Sequence, residues 1–139
     1  MLDNTDKHIL DELNNNSRIT MKELGEKIHM TGQATSTRVA KLEDSGVREG
    51  YTIKVNHEKL GYPVHAMINI TGTNAQNHEL YRNFILSEDK YVIHHYKISG
   101  DGCYLLECRF PSNKILDEFV IELNRYVNYR VTLIINEVK

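Results

Sequence analysis

The chain has 139 residues, of which 40% are hydrophobic and 26% charged, with a formal net charge of −2. That length fits one average domain or two small ones, each with a modest core, and the composition is that of an ordinary soluble protein. No apolar run approaches the roughly 20 residues of a membrane span, and the N-terminal "MLDNTDKHILDEL" lacks the charged-then-apolar layout of a signal peptide, so the chain reads as cytoplasmic, without a membrane partner.

The negative net charge argues against a nucleic-acid partner only as an average. Between Arg18 and Lys41 the bases are Arg18, Lys22, Lys27, Arg38 and Lys41 against Glu23 and Glu26, which gives 5 − 2 = +3 in one short segment. Cys103 and Cys108 are five apart in an expected strand, so alternation sets them on opposite faces and forbids a bridge. The histidines show neither HExxH nor any cysteine-paired spacing, so no metal site and no cofactor are expected.

Residues up to about Ser45 read as helices. Asp3 is placed to N-cap a first helix that carries Ile9, Leu10 and Leu13 on one side. It ends at "NNNS", residues that prefer to bond their own backbone. Thr20 and Glu23 form a T-x-x-E capping box flanked by Ile19 and Leu24 as a hydrophobic staple, which starts a short second helix with Leu24 and Ile28 inward. Thr31 can cap a third helix, closed by Gly46 in the left-handed region. With Thr35, Val39 and Leu42 inward, that helix turns Gln33, Thr37 and Ala40 outward, with Ser36, Arg38 and Lys41 on its flanks. A plain three-helix bundle with a polar surface would also give these periods. The small hydrogen-bonding side chains at the start of the third helix favour a helix-turn-helix, since bulky Glu and Lys are the ordinary solubility choice.

Beyond Glu49 the period changes. "YTIKVN" alternates and predicts a connecting strand, and "NHEKLGYP", with Gly61 and Pro63, marks a boundary. The expected division is residues 1–50, a linker strand and hinge at 51–62, and a second domain at 63–139. The second domain reads strand "VHAMINI", helix "HELYRNFIL", strands "YVIHHYKI" and "CYLLECRF", helix "KILDEFVIEL" and strand "YRVTLIINEV". This β-α-β-β-α-β order predicts an α+β chain with a ferredoxin-like C-terminal domain. In the central hairpin, a three-residue loop Gly100-Asp101-Gly102 pairs Tyr96 with Leu106, His94 with Cys108 and His95 with Glu107, which keeps one face apolar. "SGDGCY" has no third glycine, lysine or following helix, so it is no phosphate loop. No acid, base and nucleophile converge, so no catalytic residue is expected and the chain does not read as an enzyme.

A helix-turn-helix followed by a ferredoxin-like domain, with "LDNTDKHIL", "SRITMKELGEKI", "RVAKLEDSGVREGY" and the terminal "EVK" in order, resembles the Lrp/AsnC (feast/famine, leucine-responsive) family of transcription regulators over essentially the whole chain. The resemblance implies a homodimer that grips double-stranded DNA and assembles further, to an octamer, with an amino acid adjusting its activity. The start of the third helix would enter the major groove, with Gln33, Ser36 and Thr37 at base edges. Arg38 and Lys41 would hold phosphates, and Thr31 would bring the positive helix end to the backbone. By family position the effector would meet Gly100, Asp101, Gly102, Cys103, Tyr104, Thr132 and Ile134. Four departures stand out: His29 replaces a turn glycine, Thr35 replaces an apolar residue, Arg48 replaces an aliphatic residue, and Cys103 replaces an aspartate suited to an α-ammonium group. Two other classes remain beside the regulator: an architectural protein that wraps DNA with little or no effector response, and a metabolite sensor whose helices bind protein.

Overall fold

The computed structural model describes residues 1–139, which form two compact units, Met1–Lys54 and Val55–Lys139. The first holds α1 (Asn4–Asn15), α2 (Met21–Ile28) and α3 (Gly32–Asp44). Asp3 caps α1 in a full capping box: its side chain accepts from the Asp6 amide, and Asp6 accepts from the Asp3 amide. At α2 only half of the expected box forms, Thr20 Oγ1 accepting from the Glu23 amide at 3.1 Å. The staple is present, because Ile19 and Leu24 are both buried in one cluster with Ile9, Leu13, Ile28, Val39 and Leu42. Thr35 is fully buried among them, its hydroxyl donating to Thr31 O at 2.8 Å, so a residue polar in composition packs as a core residue. Gly46 ends α3 with φ 79°, as its sequence position predicts.

Helices α2 and α3 approach closely because Gly25 has no side chain. A Cβ there would meet Met30 O at 2.5 Å and Thr35 Oγ1 at 3.1 Å. The turn between them runs through His29 in the left-handed region, φ 60° and ψ 45°, with the His29 amide donating back to Gly25. The histidine therefore adopts the conformation that glycine supplies more cheaply.

Residues 51–56, predicted as a connecting strand, form none. Their alternation is real, but a strand needs a hydrogen-bonded neighbour, and Tyr51, Ile53 and Val55 are exposed in this single chain. Asn56 then caps a four-residue helix, α4 (His57–Leu60), where the sequence predicts only a boundary; Gly61 ends it with φ 101°. No helix is long and apolar enough to cross a membrane.

The second unit continues with β1 (Val64–Gly72), α5 (Ala75–Ser87), β2 (Val92–Lys97), β3 (Tyr104–Phe110), α6 (Asn113–Leu123) and β4 (Asn128–Leu133). The strands form one antiparallel sheet in the order β2-β3-β1-β4, the arrangement of a ferredoxin-like domain. Alternate residues Ala66, Ile68 and Ile70 of β1 and Leu106, Cys108 and Phe110 of β3 bury one face against Tyr81, Phe84 and Ile85 of α5 and Phe119, Val120 and Leu123 of α6. The last strand ends at Leu133, five residues before the apolar pattern does.

The hairpin register differs from the predicted one by a residue. Lys97 faces Tyr104, Tyr96 faces Leu105, His95 faces Leu106 and His94 faces Glu107, with a shift between Val92 and His94 that leaves Ile93 as a bulge. The Ile98 amide donates to Cys103 O at 3.0 Å, so Ser99–Gly102 form a four-residue loop. A one-residue slip reverses every side chain of a strand. His94 and Tyr96 thus lie on the open face of the sheet, and His95 points to the helices.

Candidate nucleic-acid interface and hairpin loop

The capped start of α3 presents the first group of site residues. Thr31, with extended φ and ψ, accepts the Ala34 amide on its hydroxyl at 3.1 Å. Gln33, Ser36, Thr37 and Lys41 are exposed, as is Thr31. The Thr37 hydroxyl donates to Gln33 O at 3.1 Å, so toward a ligand it offers only acceptor lone pairs. The structure thus leaves five of the six DNA-contact candidates accessible.

Arg38 is the sixth, and its surroundings differ. Its Nη1 donates to Asp3 Oδ2 at 2.6 Å, to Asp3 Oδ1 at 2.8 Å and to Asp6 Oδ1 at 3.2 Å. The Arg38 guanidinium and the Asp6 amide hold the Asp3 carboxyl below the usual carboxylate range, and the two aspartates raise Arg38 in return. The sequence marks Asp3 only as a helix start, and Asp6 went unnoticed. The signal for more was the D-x-x-D spacing, which places two carboxylates where a Thr-x-x-Glu box places one. Beyond α3, Arg48 pairs with Glu43 and lies 4.3 Å from the Tyr51 ring centroid. A departure in sequence thereby ties the end of α3 to the segment that follows it.

The effector candidates fall into three places. Gly100 and Gly102, with φ of 109° and 112°, shape the hairpin loop. The loop is pinned to the sheet: Asn69 Nδ2 donates to Asp101 O at 2.8 Å, Arg130 Nη2 to Asp101 Oδ2 at 2.6 Å, and the Cys103 amide to Ile70 O at 2.8 Å. A Cβ at Gly102 would overlap Asn69 Oδ1 and come within 2.8 Å of Ile70 O. Cys103 is exposed. Thr132, opposite Met67, and Ile134, whose amide donates to His65 O at 2.8 Å, lie along the open sheet face. Tyr104 faces the other way, its hydroxyl hydrogen-bonded to His78 Nε2 at 2.7 Å beside Tyr81 and His95. The seven residues therefore do not line one surface of the single chain.

The predicted His95–Glu107 pair is replaced by two others. Glu107 accepts from His65 Nε2 at 2.6 Å and from His94 Nδ1 at 3.1 Å. Partial burial pushes its carboxyl up, but the two imidazole bonds outweigh this and hold it below its usual range. His95 instead meets the hydroxyl of buried Tyr81 at 2.8 Å. Burial, then the nearby Arg82, keeps its imidazole less basic than usual. Burial, and behind it Glu107, pushes the Cys108 thiol up to about 12, so Cys108 is a packing residue.

Known proteins bear on this geometry directly. The winged helix-turn-helix DNA-binding family matches residues 2–47. The HTH-type transcriptional regulator LrpA of Bacillus subtilis is 53% identical over 137 residues, covering 99% of this chain and 100% of the relative. The solved structure of B. subtilis LrpC superposes with a TM-score of 0.90 at 29% identity, covering 100% of this chain and 98% of that one. The feast or famine regulatory protein of M. tuberculosis, solved in complex with L-methionine, gives 0.86 at 27% identity over 100% and 95%. The relatives are transcriptional regulators, not enzymes, and with helix-turn-helix, sheet order and full-length similarity in agreement, this chain belongs to the Lrp/AsnC family of HTH-type transcriptional regulators.

Proposed function

We propose that this regulator reads double-stranded DNA in the cytoplasm with the N-terminal half of α3, as a homodimer that assembles further, to an octamer, and that an amino acid adjusts its activity. The observation that carries the DNA reading is the exposed face of α3, where Gln33, Ser36 and Thr37 follow a capped helix start with no bulky charge among them. Gln33 can bond adenine through both amide atoms, while Ser36 and Thr37 discriminate less. Thr31 brings the α3 N-terminus to the backbone, and Lys41 is the free cation of the set. Dimeric pairing of two such helices gives half-sites spaced by whole helical turns.

Support for assembly is the open sheet face, which mixes Met67 and Leu105 with the His65–Glu107–His94 cluster and suits burial against a second subunit better than bare solvent. Support for the effector is the pinned glycine loop and the L-methionine complex of the M. tuberculosis relative. The test has two arms. Light scattering gives the assembly size, with a mass of eight subunits expected and a monomer contrary to the reading. A thermal-shift panel of the twenty amino acids is expected to show at least one stabilising ligand. No response across the panel would sink the effector reading and leave the DNA-wrapping architectural role.

A further inference from the structure

The one basic residue of α3 that does not face outward freely is Arg38. A capping box requires an oxygen at the N-cap and another three residues on, and Thr with Glu supplies both. This chain uses Asp3 and Asp6. Asp3 Oδ1 accepts the Asp6 amide at 2.8 Å, and Asp6 Oδ2 accepts the Asp3 amide at 3.2 Å. Asp3 Oδ2 and Asp6 Oδ1 are left over by the box, and Arg38 Nη1 reaches both, at 2.6 and 3.2 Å, together with Asp3 Oδ1 at 2.8 Å. The first turn of α1 is thus a receptor for a guanidinium from α3.

Arg38 sits on the seam of α3. Thr35 and Val39 on one side are buried, while Ser36 and Thr37 on the other are exposed. A grip at this flank opposes rotation of α3 about its own axis, and the Gly25 contact restrains it from α2. With side-chain tips about 6 Å from the axis, a roll of roughly 15° would displace them by about 1.5 Å. That shift exceeds the tolerance of a bidentate base contact.

The local charge favours the same role. Two carboxylates and one guanidinium sum to −2 + 1 = −1, so the cluster as a whole does not attract a phosphate. To bind one, Arg38 would give up three charge-assisted hydrogen bonds and leave Asp3 and Asp6 unpaired beside DNA. Arg38 is 31% exposed, Asp6 17% and Asp3 54%, so the Asp6 end of the grip lies toward the core and the Asp3 end toward solvent.

Building on the proposed α3 reading, we propose that Arg38 is a positioning residue: the Asp3–Asp6 box holds its guanidinium and thereby fixes the roll of α3 that presents Gln33, Ser36 and Thr37 to the groove. Arg38 does not serve as a phosphate ligand.

The test is fluorescence anisotropy of the full chain on two duplexes of equal length, one selected in vitro by the wild-type protein and one of random sequence, across a salt series. Asp6→Asn is expected to weaken binding to the selected duplex about tenfold and to leave the random duplex nearly unaffected, although it removes a negative charge. Arg38→Gln is expected to do the same with an unchanged salt slope, and the double variant to be no worse than either single one. Lys41→Ala is expected to lower the slope by about 1. Arg38→Lys keeps the charge without the planar fork, remains a usable variant if Arg38→Gln unfolds, and is expected to lose selectivity as well. Tighter binding of both duplexes by Asp6→Asn, a slope reduced by about 1 in Arg38→Gln, or wild-type behaviour of Arg38→Lys would each overturn the proposal. Failure of the wild-type protein to bind either duplex would instead remove the α3 reading on which it rests.

Discussion

His29 is the only non-glycine residue with a positive φ, and it stands at the hinge of the helix-turn-helix. Its sequence position had marked it as a substitute for glycine, and the left-handed backbone explains why the substitution carries a cost. His29→Gly is expected to stabilise the helical unit by about 0.5 kcal/mol, the steric relief being partly offset by the greater freedom of glycine in the unfolded chain. A urea titration followed by circular dichroism checks this. The titratable residues add a dependence on pH. Glu107, held by two imidazoles, and His95, buried beside Tyr81, are both more acidic in the fold than an ordinary carboxyl or imidazole, near 4.5 and 6.5, so the folded state binds fewer protons than the unfolded one. Each contribution is therefore complete above the unfolded value and is lost as the pH falls through the folded one. Acid destabilisation of the sheet unit should begin just below pH 6.5 through His95 and deepen below about 4.5 through Glu107. His95→Gln should abolish the first onset in urea midpoints measured from pH 7.5 to 4, and retention of that onset would assign it to another group.

At the scale of elements, the helices were legible because their ends carry chemistry: Asp3, Thr20 and Thr31 cap where their side chains predict, and Gly46 closes α3. The hairpin was legible as a hairpin but not in register. Val92, His94 and Tyr96 alternate as plausibly as Ile93, His95 and Lys97, and the bulge at Ile93 carries no glycine to announce it. What settles the faces is remote in sequence: Tyr81 of α5 takes His95, and His65 of β1 shares Glu107 with His94. The same distance hid the Arg38 grip, 35 residues from Asp3. The loop itself gives a prediction at this scale. Gly102→Ala places a methyl against Asn69 Oδ1 and Ile70 O at a positive φ, so about 1–3 kcal/mol should be lost from the sheet unit. The hydrogen bond from the Cys103 amide to Ile70 O should loosen, visible as faster amide exchange at Cys103.

For the whole molecule, the order of elements predicted both units, because a 3.6-residue period gives way to a period of two near residue 50 and a split βαβ order follows. Residues 51–56 alternate without forming a strand: alternation records which side chains would share a face, but not whether a neighbour is present to pair with. The effector set shows the same limit, since Tyr104 follows Cys103 in sequence yet turns to the helices while Thr132 lies on the open face. The proposed function depends on α3 as the reader of DNA sequence. The most direct measurement is the affinity of Gln33→Ala, relative to the wild-type protein, for an in-vitro-selected duplex and a random duplex at one salt concentration. The expected result is a loss of about 1–3 kcal/mol on the selected duplex, with random-duplex affinity unchanged. Equal losses on both duplexes, or no loss on either, would contradict it.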